Sequence, residues 1–237
     1  MKKVAIVALM FVAVAFAGGR GYGGFVLTYT MPDLSALSAE FHAHGLPEID
    51  DQMFTFGGGG WGGAGVMVGG WGFGGSRQFD GDSVSIDLSY SGGFFEPGYF
   101  INIWRGFGIW PAVGIGGTNV SMYLRPVLGD VNFGDILDNP ARSSKINYGT
   151  FTVAPNISIL IPIEFVALQI KGGYMWSPFQ GEWSIEDGGN LRQGPQINPS
   201  GIYAQANILF GGGDDDGIIG RKKSNDAKND DDEEQED

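Results

Sequence analysis

Apolar side chains occupy every second position of two neighbouring runs, residues 151–161 and 166–176. A period of two places successive side chains on opposite faces of a β-strand. The short break between the runs, which begins at Pro162, indicates an antiparallel hairpin. Each run has about the ten residues that a tilted strand needs to cross a bilayer. The sequence therefore predicts a fold built from long antiparallel strands.

The same alternation recurs along the chain. It predicts further strands at residues 25–30, twice within 53–77 around a glycine turn near Gly62–Gly63, and at 83–91, 107–125 and 202–210. Asp33 is a suitable N-cap for a helix that runs to about His44. Together these give about eight strands, the smallest common number for a membrane barrel. We predict an all-β fold, an antiparallel up-and-down barrel of about eight strands with one short helix near the N-terminus.

Three stretches of different composition divide the chain. Lys2 and Lys3 precede an apolar run that ends in Ala15-Phe16-Ala17, the pattern of a cleavable signal peptide over residues 1–17. The predicted barrel domain spans residues 18–213. Residues 214–237 carry eleven acidic against four basic side chains, which predicts a disordered acidic tail able to hold divalent cations loosely.

Composition excludes several classes of function. The chain has no cysteine and two histidines, His42 and His44, which two apart on a helix make a poor metal pair. We therefore predict no catalytic residues, no metal site, no cofactor and no enzyme activity. No basic stripe is present, so nucleic acid is not an expected partner.

Alternation alone does not decide whether the apolar faces meet lipid or one another. The polar faces are rich in short side chains, and aromatic residues gather at the apparent strand ends, which favours lipid. The predicted interfacial aromatics are Phe94, Phe95, Tyr99, Tyr174, Trp176 and Phe210. The polar residues predicted to face the lumen, by packing there or by lining a narrow passage, are Asp87, Asn156, Gln169, Lys171 and Gln205. A soluble periplasmic β-protein that binds an apolar ligand is the alternative.

With this strand pattern and a closing strand at 202–210, the chain resembles small bacterial outer-membrane β-barrel proteins. The resemblance implies an outer-membrane location, reached by secretion across the inner membrane, with membrane lipid and the barrel-assembly machinery as partners. It also implies a structural, passive-pore or adhesive role. In such proteins an aromatic residue at the end of the last strand is recognised during assembly, and Phe210 fits this position, although here a charged tail follows it.

Overall fold

The computed structural model describes residues 19–81, 83–127, 143–186, 189, 191 and 194–213. One helix, α1, spans Ser35–Ala43. The strands are β1 Arg20–Thr30, β2 Met53–Ala64, β3 Val66–Asp80, β4 Val84–Tyr99, β5 Ile101–Trp104, β6 Phe107–Pro126, β7 Ser144–Ile163, β8 Val166–Met175, β9 Glu182–Ile185 and β10 Gly201–Gly212. The predicted signal peptide and acidic tail, including its loose cation site, lie outside the described residues.

The strands close into an antiparallel barrel. The sheet runs in the order β5-β6-β4-β3-β2-β1-β10-β8-β7-β9, and an additional β6–β7 pairing joins its two sides. β4 and β5 both pair with β6 and form one barrel strand interrupted at Phe100. β8 and β9 likewise both pair with β7 and follow each other along it. The predicted eight-stranded, up-and-down barrel with one short helix is therefore confirmed.

The two ends of the barrel differ. At one end, the short-turn end, single tight turns join β2 to β3, β5 to β6 and β7 to β8, and the outer ends of β1 and β10 pair through Gly21 and Gly212. These turns place Gly65, Arg105, Gly106 and Glu164 at positive φ. At the other end, the loop end, β3 and β4 are joined by the three residues 81–83, whereas the remaining connections are longer and one of them contains α1. The β2–β3 turn lies at Gly65, slightly beyond the predicted Gly62–Gly63.

Around the middle of the barrel the outer surface is apolar. Ile157 is 57% exposed and Ile170 is 60% exposed, although both lie within regular strands. Every barrel strand contributes to this apolar belt, with exposed side chains such as Phe25 and Leu27, Phe54 and Phe56, Val66, Phe95 and Ile101, Val113 and Ile115, Ile157 and Ile159, Leu168 and Ile170, and Ile202 and Ile208. The apolar faces of residues 151–161 and 166–176 therefore point outward, as predicted.

Towards the loop end the polarity of the wall reverses. In the first half of β4, Ile86, Leu88 and Tyr90 point inward and are fully buried, whereas Asp87 lies on the outer face and contacts Arg125 of β6. The prediction that Asp87 faces the lumen is therefore wrong. The physical reason is that the loop end encloses an apolar core, so that the same period of two here turns its polar side to the exterior.

The core of the loop end is formed by α1 and the inner faces of the longest strands. Leu34, Leu37 and Phe41, which lie on one face of the helix, are all buried. The N-cap is Leu34 and not the predicted Asp33, which lies one residue before it and accepts hydrogen bonds from the backbone N–H and the hydroxyl of Ser35, the first helical residue. The helix therefore caps the barrel rather than lying loosely on it.

The predicted strands at 107–125, 166–176 and 202–210 agree with β6, β8 and β10 within two residues. By contrast, β1 begins five and β7 seven residues before the predicted starts, β4 continues eight residues beyond the predicted 83–91, and β5 and β9 were not predicted. The four residues of β9 lie between the predicted strands at 166–176 and 202–210. Within the described part of the chain, no helix has the length and apolarity needed to cross a membrane.

Candidate functional site

A buried ion pair lies inside the barrel. The Lys171 ammonium is 2.7 Å from Glu96 Oε1 and 2.9 Å from Oε2, so it donates to both carboxylate oxygens. Neither side chain has any exposed surface. Lys171 comes from β8 and Glu96 from β4, and the two strands are not neighbours in the sheet. The pair therefore bridges the lumen and holds together two sides of the wall.

The carboxylate is surrounded by further donors. The indole N–H of Trp61 donates to Oε1 at 3.0 Å and that of Trp71 to Oε2 at 2.8 Å. Asn156 donates to Oε2 at 3.0 Å. The Lys171 ammonium also lies 4.9 Å and 5.2 Å from the centres of the two indole rings, within cation–π range. Besides its partner, the carboxylate is thus compensated by three hydrogen bonds and the ammonium by two indole rings, and such additional contacts offset the cost of burying an ion pair.

Glycines in β2 and β3 make space for the two indoles. A Cβ atom at Gly59 would lie 2.6 Å from the ring of Trp61 and 2.9 Å from Cβ of Trp71. Gly69 faces the Trp61 ring equally closely. The glycine-rich sequence of these strands is therefore needed on the inner face for large aromatic side chains to fold flat against the wall.

A chain of polar side chains continues along the wall formed by β7, β8 and β10. Asn207 donates to Gln169, Gln169 donates to Ser158, and the Ser158 hydroxyl donates to the backbone carbonyl of Trp110. Gln205 donates to Thr28 of β1 at 3.1 Å. These hydrogen bonds hold the amide and hydroxyl side chains of this wall in defined positions.

Of the five polar residues predicted to face the lumen, the structure places four inside the barrel. Gln169, Lys171 and Gln205 are buried, and Asn156 is bonded to the buried Glu96. The fifth, Asp87, lies outside, as described above.

Of the predicted interfacial aromatics, Phe94 is misassigned. It is 5% exposed, points inward and stacks on Trp71 with ring centroids 4.7 Å apart. Phe95, Tyr99, Tyr174, Trp176 and Phe210 are all exposed on the outer surface. Phe94 and Phe95 are adjacent in a strand, so only one of them can face outward.

Sequence reasoning missed Glu96, Trp61 and Trp71. A signal for the ion pair was available, because Glu96 is the one acidic residue between Asp87 and Asp130. Lys171 is likewise the one basic residue between Lys145 and Arg192. A lone acid and a lone base, each within a long apolar strand, are expected to pair when both strands belong to the same barrel.

A cleft of about 940 Å³ lies at the loop end, beside α1 and the end of β3. Glu48, Asp50, Asp51, His42 and Arg77 are among its lining residues. Among the residues that the structure describes, no three histidine or acidic side chains converge on a point that could hold a metal ion.

The Asp50 carboxylate accepts hydrogen bonds from the backbone N–H of Gln52 at 3.0 Å and from Arg77 at 2.7 Å. These bonds, that from Gln52 first, hold the pKa of Asp50 below its ordinary value. Because the pKa is lowered by folding, the bonds stabilise the loop end above the ordinary pKa of an aspartate, and this stabilisation is lost as the pH falls through the lowered value.

We expect Arg77→Ala to raise the pKa of Asp50 but not to return it fully to its ordinary value, because the Gln52 N–H remains. An NMR titration of the Asp50 carboxyl carbon in detergent micelles measures this shift. Arg105→Ala, in a turn at the opposite end of the barrel, serves as the control and should leave the titration unchanged. An unchanged Asp50 titration in Arg77→Ala would contradict the assignment.

A shallow groove of about 630 Å³ lies on the outer surface towards the short-turn end. Here the outward positions of β1, β2 and β3 are glycines, including Gly23, Gly60 and Gly70, and Phe210 forms one side. The groove is therefore a gap between the side chains of the apolar belt, and none of its lining residues is charged.

No protein-family model and no curated protein sequence matches the chain. Two solved structures of Ail, the attachment invasion locus protein of Yersinia pestis, are similar to it. The structure of Ail in complex with the heparin analogue sucrose octasulfate has 11% sequence identity and a TM-score of 0.45, over 81% of this chain and 97% of that chain. A second Ail structure has 12% identity and a TM-score of 0.41 over the same shares.

Proposed function

We propose that this chain is a bacterial outer-membrane β-barrel that spans the bilayer with a closed lumen and serves a structural or adhesive role through its loop end. The observation that carries the proposal is the pairing of an apolar outer belt with a charged, hydrogen-bonded interior. A water-soluble barrel has the opposite arrangement, because its apolar side chains gain most by meeting one another. Exposed aromatic side chains such as Tyr99 and Trp176 suit the interfacial regions at the two edges of such a belt.

The ends of the barrel support one orientation. Short turns typically face the periplasm in this class of protein and longer loops face outward. The end with α1, the cleft beside it and β9 is therefore the outer end in our proposal, and the end with the tight turns is the inner one. Membrane lipid is the first partner, and acyl chains would fill the glycine groove. The assembly machinery would recognise β10, whose Phe210 faces outward near the strand end.

The alternative function, a soluble protein that carries an apolar ligand inside the barrel, has less support because the interior is already filled. The lumen holds Glu96, Lys171 and their indole partners, and the loop end is occupied by the buried side chains of α1. No chemistry is proposed for the ion pair, because both oxygens of Glu96 are already engaged by four donor side chains. A structural role without catalysis fits this interior best.

The same interior leads to a prediction about conductance. We expect the folded protein, reconstituted into planar bilayers, to give no resolved single-channel steps, because bonded side chains cross the lumen at the ion pair. A wide porin in the same bilayers is the positive control, and heat-modifiable gel migration verifies that the sample is folded. Stepwise conductance from the folded protein would contradict the closed barrel and favour the passive pore.

A further inference from the structure

The outer face of the barrel beyond the apolar belt is an ordered polar surface. Because β3, β4, β6, β7 and β9 lie side by side, the strand registers align one outward row across all five: Ser76, Ser89, Ser121, Asn147 and Ser184. The next row towards the loop end consists of Gln78, Asp87, Tyr123 and Lys145. We call these two rows and the flanking Ser91 and Asn119 the outer polar face.

The charges of the outer polar face are neutralised within the protein. Arg125 donates to Asp87 at 3.1 Å, and Lys145 donates to Glu186 at 2.6 Å. What the face offers to a partner is therefore mainly neutral hydrogen-bonding groups, and not a net charge. Hydrogen bonding, and not net charge, is therefore what makes this face selective.

The neutral groups are partly fixed and partly open. Asn119 donates to Ser121 at 2.6 Å, and Ser121 donates to Asn147 at 2.8 Å, which makes a line of side chains held at defined positions. Within the described part of the chain, the hydroxyls of Ser76, Ser89 and Ser91 have no hydrogen-bond partner. Serine loses little side-chain entropy when it is fixed, so these hydroxyls can hydrogen-bond to another hydroxyl-rich molecule at a small entropic cost.

The outer polar face is continuous with the apolar belt. On β7, Phe151 is outward and exposed, and Asn147 follows four residues further on the same face, about 13 Å along the strand. On β6, the outward Ile115 is followed by Gly117, Asn119 and Ser121. A molecule whose apolar part lies against the belt thus has its head group directly beside the serine and asparagine row.

We propose that the outer polar face holds the oligosaccharide head group of an outer-leaflet glycolipid whose acyl chains lie on the apolar belt below. Neutral hydroxyl and amide groups match sugar hydroxyls, and the belt beneath matches the lipid part of the same molecule. This inference rests on the proposed membrane-spanning function and adds to it a chemical class of partner and the surface that recognises it.

The experiment compares lipid retention by the wild type, a triple variant of the outer polar face and a control variant. Purified rough-type lipopolysaccharide is mixed with phosphatidylcholine in vesicles that contain the folded protein, and lipids that remain bound after gentle detergent extraction are counted by native mass spectrometry. The triple variant Ser89→Ala/Ser121→Ala/Asn147→Ala removes one row of the outer polar face. The control, Ser38→Ala, removes a loop-end hydroxyl that does not belong to the face.

We expect the triple variant to retain about tenfold less lipopolysaccharide than the wild type, because it loses three hydrogen-bonding groups. Retention of phosphatidylcholine should not change, and the control should behave as the wild type. Equal retention of lipopolysaccharide by all three proteins would overturn the proposal, as would an equal loss of both lipids in the triple variant.

Two further arms separate the possible causes of failure. The lipid-free core oligosaccharide, added to the protein, should bind far more weakly than the intact glycolipid. Equally tight binding would indicate that the ligand is a free polysaccharide, which would overturn the proposal. Extraction of the vesicles with alkaline carbonate tests the proposed function alone. If carbonate releases the protein from the vesicles, the proposed membrane-spanning function is wrong. If the protein stays in the membrane but the triple variant retains as much lipopolysaccharide as the wild type, only the proposed glycolipid site is wrong.

Discussion

Glu96→Gln should lower the free energy of unfolding by about 3 to 5 kcal/mol, because it leaves the Lys171 ammonium buried without its counter-charge. Lys171→Met should also destabilise the barrel, since the carboxylate then keeps only the two indole N–H groups and Asn156. Urea unfolding of the barrel in lipid vesicles, followed by heat-modifiable gel migration, measures both effects. The two variants probe the contact that joins opposite sides of the lumen.

The double variant Glu96→Gln/Lys171→Met distinguishes a buried ion pair from two independent contacts. Removal of both charges relieves the burial penalty of each, so the double variant should recover much of the stability lost in the single variants. Asp87→Asn is the matched control, because its pair with Arg125 is partly exposed and should contribute about 1 kcal/mol or less. Additive losses in the double variant would contradict the coupling.

Ile170→Lys should disrupt membrane assembly. Ile170 lies in the middle of β8 and is 60% exposed on the apolar belt, so the ammonium would face hydrocarbon. The expected cost is about 2 to 4 kcal/mol for a residue near the bilayer midplane. The fraction of protein that folds into vesicles and its unfolding free energy in urea measure the effect.

Ser76→Lys is the matched control for this substitution. Ser76 is also outward and exposed, but it lies on the outer polar face beyond the belt, where a lysine meets water. We expect a change within about 0.5 kcal/mol. Equal behaviour of the two lysine variants would mean that the belt does not face lipid.

Strand positions and barrel closure were predictable from the sequence because period-two alternation is a local property of the chain. In the runs at 151–161 and 166–176 the faces were also assigned correctly, since Ile157 and Ile170 lie outside and Gln169 and Lys171 inside. These strands have long, uninterrupted apolar faces of bilayer length, which is the feature that the assignment used.

The face of β4 was not predictable in the same way. Ser83–Ser91 alternates as cleanly as the central hairpin, yet Ile86 and Leu88 point into the apolar core of the loop end. Alternation states which residues share a face but not which medium that face meets. The medium changes within one strand here, because β4 passes from the loop end into the belt, where Phe94 and Glu96 are inside.

The ion pair and its indoles could not be assembled from the sequence alone. Glu96 and Lys171 meet across the lumen only because the register of the closed sheet brings β4 and β8 to the same height, and register is not encoded in a single strand. The role of the glycines in β2 and β3 was also hidden, because glycine could equally have indicated bends or a flexible segment.

The most direct test of the account is the medium that surrounds the apolar belt. The chain has no cysteine, so single cysteines at positions 157, 170 and 89 can each carry one nitroxide label. In vesicles, labels at Ile157 and Ile170 should collide with oxygen dissolved in the bilayer and be protected from a water-soluble nickel complex. A label at Ser89 on the outer polar face should show the reverse. Labels at 157 and 170 that collide more with nickel than with oxygen would contradict the membrane-spanning barrel.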